Sequence, residues 1–456
     1  MTARGLIFAA PASGTGKTLV TAGLARYLRR RGWRVATAKA GPDFVDPTFH
    51  ALAAGKPCLN LDVWGMRPAT LAALIGELEA RADFVLCEGV MGMFDGTGPE
   101  GETGSTAELA LMTGWPVVLV VDARGQGASV AALLKGFAAH RPPVPLTAVI
   151  FNRASSNRHA ALLADATARH LPSLVCLGSL PADPVLALPS RHLGLVPASE
   201  SRDAEAVIER CAALIGEFVD VERLSRLALG SVLSVAGKAI TVPTLGRRIA
   251  VARDQAFCFA YPTLLEGWRG QGAEIAFFSP LADEPPAAGA DAVYLPGGYP
   301  ELWPDRLASA EVFMTGIRRA ASEGAAIYGE CGGYMVLGET LIVGEGRNYP
   351  MSGLLPLVTS FAEKRLRLGY RRATLRVDTK LGAAGSRFRG HEFHYATVVR
   401  ESSAEPLFSV FGPADEDLGT YGLRKGSVSG SFIHLIDREK ASSNIARSPD
   451  SQGALR

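Results

Sequence analysis

The chain has 456 residues, 48% of them hydrophobic, with 50 Gly and 28 Pro, which exceeds one hydrophobic core and excludes a disordered protein. Its 47 Lys and Arg nearly cancel its 45 Asp and Glu, so the net charge offers no track for a nucleic acid and no face for an acidic membrane. The six cysteines lack any Cys-x-x-Cys pair and suit a reducing, cytoplasmic setting, and no run reaches the ~20 uninterrupted apolar residues of a membrane span.

From the amino terminus, GLIFAA, RVATAKA, FVLCEG, PVVLVVDA, LTAVIFN and LVCLGSLP alternate with amphipathic helical patterns. Runs apolar on both faces indicate buried parallel strands, so residues 1–225 are expected to form a doubly wound α/β domain. The opening run ends at Gly14-Thr15-Gly16-Lys17, which no secretory cleavage region requires, and it reads as a strand. Ser13, Gly14, Thr15, Gly16, Lys17 and Thr18 follow that strand and open a helix, the context in which backbone N–H groups cradle phosphates. Lys17 is expected to meet the β- and γ-phosphates of ATP, and Thr18 to ligate Mg²⁺. Pro11 stands where the standard spacing has glycine, so the loop is a variant.

The next strands lead into KAGPDFVDP, with Asp43 and Asp46, and CEGVMGMFDG, with Glu88 and Asp95. Ligands bind at the carboxyl ends of such strands. Thr18, Asp43 and Glu88 are therefore the candidate metal ligands, and the remaining acids are candidates for orienting a substrate carboxylate for attack on the γ-phosphate. Loop Asp residues beside Gly and Pro also serve as turn formers, a role most open to Asp46 and Asp95.

Residues 226–246 lose the strand-helix rhythm and read as a linker. Residues 247–440 then form a second α/β domain, with RRIAVARD, AEIAFFSP, DAVYLPGG and AAIYGECGG as strands. Between Lys364 and Arg400 basic and apolar residues alternate at period two, which indicates antiparallel strands. Residues 441–456 read as a disordered tail. Cys331, in IYGECGGYMVLG, falls between a strand and a helix beginning near Gly332. A thiol at a helix amino terminus is expected to have its pKa lowered from ~8.5. The flanking glycines allow N–H groups to approach an oxyanion, with Gly332 and Gly298 as candidate donors. His434, in SGSFIHL after a strand, is the candidate proton carrier for acyl transfer. The other five cysteines read as inert core residues. His391 and His394, in RGHEFHY, read as substrate contacts because no third metal ligand of matching kind lies nearby.

GECGGY with a late GSFIH resembles the class I glutamine amidotransferase domain. From about residue 4 to residue 435 the chain resembles the cobyrinic acid (hydrogenobyrinic acid) a,c-diamide synthase family, through APASGTGKT, KAGPDFVDPTFH, NLDVWGM, EGVMGMFDG, YLPGGYPE, YGECGGYM and RGHEFHY. The resemblance implies a dethiobiotin-synthetase-like amidoligase followed by a glutaminase. It implies ATP- and glutamine-dependent amidation of the a- and c-acetate groups of hydrogenobyrinic or cobyrinic acid through acyl phosphates, in cobalamin biosynthesis, with Mg²⁺. It puts Lys17 and Thr18 on phosphates and metal, Asp43, Asp46, Glu88 and Asp95 on metal and substrate carboxylate, and Asn152 on the nucleotide base.

A substrate rich in carboxylates calls for cations. The candidates are Arg153, Arg158, His159, Arg191 and His192 in the first half, and Arg365, Arg367, Arg371, Arg372 and His391 in the second. Many class I amidotransferases carry Glu two residues after the histidine. Ile436 fills that place here and Asp437 follows it, so the third member of the triad stays unassigned. Rival readings are a cobyric acid synthase, an enzyme acting on a nickel tetrapyrrole, and a P-loop switch ATPase of the partitioning or septum-site type; the last would not need Cys331. A homodimer is left open.

Overall fold

The computed structural model describes residues 3–98, 100–191, 194–233, 235, 239–402 and 404–439. The expected tail at 441–456 and His192 lie outside the described residues. Seven strands form the first sheet: β1 (Arg4–Ala9), β2 (Val35–Ala40), β3 (Leu59–Leu61), β4 (Phe84–Glu88), β5 (Val117–Asp122), β6 (Leu146–Ala154) and β7 (Val175–Pro181). They are parallel throughout, in the order β3-β2-β4-β1-β5-β6-β7. The apolar runs fill them because helices cover both faces, and every residue of β2 and β4 is buried. Central β1 pairs with β4 through Ile7 and Cys87, and with β5 through Ile7 and Val117. The loop after β1 therefore opens at the middle of the carboxyl edge, beside the loops after β2 and β4.

The second sheet has ten strands. Its parallel part runs in space through Glu274–Phe278, Arg248–Ala252, Ala292–Leu295, Ala326–Glu330 and Val428–Ser431. An antiparallel part continues through Asp417–Lys425, Glu405–Phe411, Arg367–Leu375, Arg387–His394 and Ile433–Arg438. Only Phe432 separates Val428–Ser431 from Ile433–Arg438, so the antiparallel part curls round and its last strand returns beside its start. That return carries His434 inside a strand, next to the end of Ala326–Glu330, where the sequence suggested a place after one.

The helix Val221–Leu227 runs through position 225. Beyond it the chain lies along the first sheet's domain: Gly5 N donates to Leu229 O at 2.7 Å and Val232 N to Thr113 O at 3.0 Å. Side chains also join the two halves. Arg67 Nη2 lies 2.9 Å from Asp437 Oδ1, the Tyr370 hydroxyl donates to Asp62 at 3.1 Å, and the Trp64 and Tyr370 rings stack with centroids 4.4 Å apart. Among the described residues no helix is long and apolar enough to cross a membrane.

Candidate active site

The first centre is built where β1, β2 and β4 end. Helix α1 (Lys17–Arg30) starts after Gly16, whose φ is 93°, with no side-chain cap and no acidic residue in its first turn. Its N–H groups are thus free of the usual competitors for an anion. Gly14 also has a positive φ, 80°. A Cβ on Gly16 would meet Asn152 Nδ2 at 2.3 Å, and that amide donates to Thr15 O at 2.9 Å. Asn152, expected on the nucleotide base, thus braces the phosphate loop. It also lines a cavity of about 300 Å³ together with Arg153, Pro181, Pro184 and Leu186. Ser13 is exposed at the mouth of the loop. Thr15 Oγ1 is buried with no hydrogen-bond partner, as a hydroxyl facing a ligand would be.

Lys17 donates to Met91 O at 2.9 Å, and burial, opposed by Glu88, lowers its pKa. Thr18 Oγ1 donates to Glu88 Oε1 at 2.8 Å. Glu88 Oε2 lies 2.6 Å from His50 Nε2, in helix α2 (Asp46–Ala54). At the centre of the acids stands Lys39, the penultimate residue of β2, which the sequence reading passed over. Its Nζ lies 2.6 Å from Asp46, 3.3 Å from Glu88 and 3.9 Å from Asp43. Burial opposes these charges, but Lys39 and then His50 hold the Glu88 carboxyl well below its usual range, while Asp46 and Glu88 keep the Lys39 ammonium protonated. Asp43 is pushed up to about 7, by burial first and then by Asp46.

Asp95 accepts from Gly92 N at 2.8 Å, so it holds the turn that presents the Met91 carbonyl to Lys17. Among the described residues no group of three or more His, Cys, Asp and Glu is arranged as a metal site. Thr18 donates to Glu88, and Glu88 and Asp43 both approach Lys39 Nζ, at 3.3 and 3.9 Å; all three are hard oxygen donors, and burial, then crowding by Asp46, raises the Asp43 carboxyl to about 7. A divalent cation sharing phosphate oxygens fits that donor set and would relieve the crowding.

The second centre is a turn. Cys331, between Ala326–Glu330 and Gly332–Leu337, has φ 46° and ψ −104°. This backbone strain aims the side chain out of the strand-to-helix junction. The neighbouring glycines are sterically required: a Cβ on Gly297 would lie 2.4 Å from His434 Cε1 and 3.3 Å from Cys331 Cβ, and one on Gly332 would lie 3.1 Å from Gly298 N. His434 and Cys331 thus flank one glycine, and the backbone of Gly298 meets that of Gly332. The expected low thiol pKa is not found. The helix has only six residues, the sulfur is buried, and desolvation, joined by Glu301, pushes the thiol well above its ordinary value. Burial also pushes His434 down to about 3, with His391 and His394 adding to it.

The third member is not Asp437. That carboxylate is buried against Arg67, with Oδ2 also accepting Arg67 N at 2.9 Å, and Ile436 packs toward Gly65. The carboxylate facing His434 belongs to Glu330, the residue before the nucleophile, whose Oε2 lies 3.7 Å from Nδ1. Glu330 accepts from the Tyr294 hydroxyl at 2.7 Å and from Leu435 N at 3.1 Å, yet burial raises it to about 7. The 3.7 Å separation exceeds a hydrogen bond.

Several expected corrinoid contacts are engaged inside the protein. Arg371 pairs with Glu392 at 2.6 Å, Arg191 with Glu200 at 2.9 Å, and Arg153 with Asp122 at 2.6 Å. His391 is buried beside Tyr370, its ring centroid 5.7 Å away. Arg365 and Arg367 are exposed.

A phosphate loop ringed by acids, joined to a strained cysteine with a buried histidine, defines a class: a nucleotide-binding domain fused to a glutamine amidotransferase. Residues 6–196 match the CobQ/CobB/MinD/ParA nucleotide binding domain, and residues 248–441 the CobB/CobQ-like glutamine amidotransferase domain. The chain is similar to the hydrogenobyrinate a,c-diamide synthase of Rhizobium meliloti (strain 1021), 52% identical over 437 residues that span 95% of this chain and 99% of that one. Those of Brucella suis biovar 1 and Mesorhizobium japonicum are 50% and 46% identical, covering 95% and 97% of this chain and 98% and 100% of theirs. The chain belongs to the hydrogenobyrinate a,c-diamide synthase family.

Proposed function

We propose that the chain amidates the a- and c-acetate groups of hydrogenobyrinic or cobyrinic acid, taking nitrogen from glutamine and driving force from ATP. The observation that carries this reading is the direct contact between its two centres. The loop bearing Asp43 and Asp46 is held by the second domain, whose Tyr261 hydroxyl donates to Pro42 O at 2.9 Å. Residues 1–225 are the ligase half and 247–440 the glutaminase half, joined through 226–246.

At the glutaminase centre, Cys331 sulfur attacks the side-chain carbonyl carbon of glutamine, and His434 moves the thiol proton to the departing ammonia. The N–H groups at Gly298 and Gly332 receive the oxyanion, and water then cleaves the thioester to release glutamate. Glu330 orients His434.

At the ligase centre, a corrinoid carboxylate attacks the γ-phosphorus of ATP and ADP departs. Neutral ammonia then attacks the acyl phosphate carbon, and phosphate leaves with the loss of one proton. A carboxylate is a poor electrophile, and the phosphate supplies the leaving group. Lys17 and Lys39 hold phosphate charge, and Asp46 orients the substrate. Mg²⁺, held by Thr18, Asp43 and Glu88, would neutralise charge on the transferring phosphate.

The test is Cys331→Ala. Glutamine-dependent amidation is expected to fall by more than about 10³-fold, while ammonium salts still support it. Full glutamine-dependent activity in Cys331→Ala would overturn the reading.

A further inference from the structure

Between the two centres stands an aromatic ring that neither reaction uses. Phe44 follows Asp43 directly and lies two residues before Asp46, on the loop between β2 and α2. Its half-buried ring points out of its own domain. It stacks on Tyr261, centroids 4.2 Å apart and planes at 25°, and on Phe259 at 5.1 Å and 16°. It also meets the His434 ring at 4.9 Å, tilted by 51°. Phe259 and Tyr261 belong to the segment between the strand Arg248–Ala252 and the helix Pro262–Gly270 of the glutaminase half. Phe259 N donates to Gly297 O at 2.9 Å, and Gly297 is the residue that Cys331 and His434 flank.

The loop bearing Phe44 is stiff. Asp43 Oδ1 accepts from Val45 N at 2.7 Å, Asn60 Nδ2 donates to Asp43 O at 2.8 Å and to Gly41 O at 2.9 Å, and Tyr261 grips Pro42. A displacement of the Asp43 or Asp46 carboxylate is therefore passed to the ring between them. The neighbour at risk is His434, whose Nδ1 is buried with no hydrogen-bond partner. Such an atom marks an arrangement open to change.

We infer that Phe44 couples the two reactions. Packed on Tyr261 and Phe259, it holds the His434 ring away from its working contact with Glu330. When nucleotide and carboxylate substrate engage Asp43 and Asp46, the ring shifts and releases the histidine. Phe44 is a positioning residue in this scheme, and its role rests on the two-centre function proposed above.

The experiment measures glutamate and amide together in the full-length enzyme, with and without ATP and hydrogenobyrinic acid. Phe44→Ala is expected to raise glutamine hydrolysis in the absence of ATP and corrinoid by roughly tenfold, a coupling of ordinary size. It should also raise the ratio of glutamate released to amide formed, while kcat/KM with ammonia stays within about twofold. Phe259→Ala approaches the same stack from the other domain and should move the ratio in the same direction, which keeps the test open if Phe44→Ala fails to fold. An unchanged ratio in the folded variants would overturn the inference. So would an equal loss with ammonia, because Phe44 would then serve the ligase centre alone. If wild-type enzyme forms no amide from either nitrogen source, the functional reading itself fails.

Discussion

Glu330 sits with no access to water beside the nucleophile, where a carboxylate is costly. Its folded pKa, about 7, exceeds its ordinary value of 4.5, so it binds a proton that the unfolded chain has released between those values. Its contribution to stability is therefore full below pH 4.5 and is lost as the pH rises toward 7. Glu330→Gln has no such dependence. The wild-type advantage over it, measured by urea unfolding, should shrink by about 3 kcal/mol across that window; a constant difference would contradict the assignment. Glutaminase activity of the variant should fall roughly 10²-fold, with ammonia-dependent amidation retained.

At this scale the sequence was readable where sterics dictate residue type. The glycines around Cys331 are required because any side chain would strike His434, the Ala256 carbonyl or the Leu295 carbonyl. Glu330 is not legible in one dimension, because the usual spacing puts the acid after the histidine, whereas strand return brings the residue before the cysteine to it. A helix terminus alone argues for a lowered thiol pKa, and the desolvation that comes with burial of Cys331 works against it.

The elements that meet at Lys39 show a different limit. β2 carries Lys39 as its last residue but one, α2 begins on Asp46 and β4 ends on Glu88. Each charge lies at the margin of an apolar run, and nothing in one dimension says that the three converge. The acids were legible as loop residues at strand carboxyl ends, and the phosphate loop by its strand-to-helix setting. Their shared cation was not, because a lone lysine in RVATAKA reads as a strand residue. Lys39→Met would leave Asp46 and the buried Glu88 without their main cation. Removing one partner of a buried pair costs about 3–5 kcal/mol, so thermal unfolding should show a loss of that order. Amidation should disappear with glutamine and ammonia alike, while hydrolysis of glutamine at Cys331 survives. Persistence of ammonia-dependent amidation would remove Lys39 from the ligase centre.

Across the whole molecule, the two sheets could be drawn from apolar runs and the antiparallel portion from its period-two alternation. Their docking could not. Arg67 with Asp437, Tyr370 with Asp62, and Arg389 Nη1 with the Trp64 carbonyl at 2.6 Å join residues more than 300 positions apart, and charge or aromatic character alone does not pair them. Yet docking gives the chain its purpose, since it sets the loop of Asp43 and Asp46 against the domain that carries Cys331. Under the function proposed above, nitrogen freed at one centre would meet an activated carboxylate at the other before it is protonated in bulk water. The most direct measurement supplies glutamine isotopically labelled at its amide nitrogen, together with ATP, hydrogenobyrinic acid and an excess of unlabelled ammonium, and reads the amide product by mass spectrometry. The new amides are expected to carry the label from glutamine despite the excess; product nitrogen matching the bulk ammonium would contradict a single pathway joining Cys331 to Lys17.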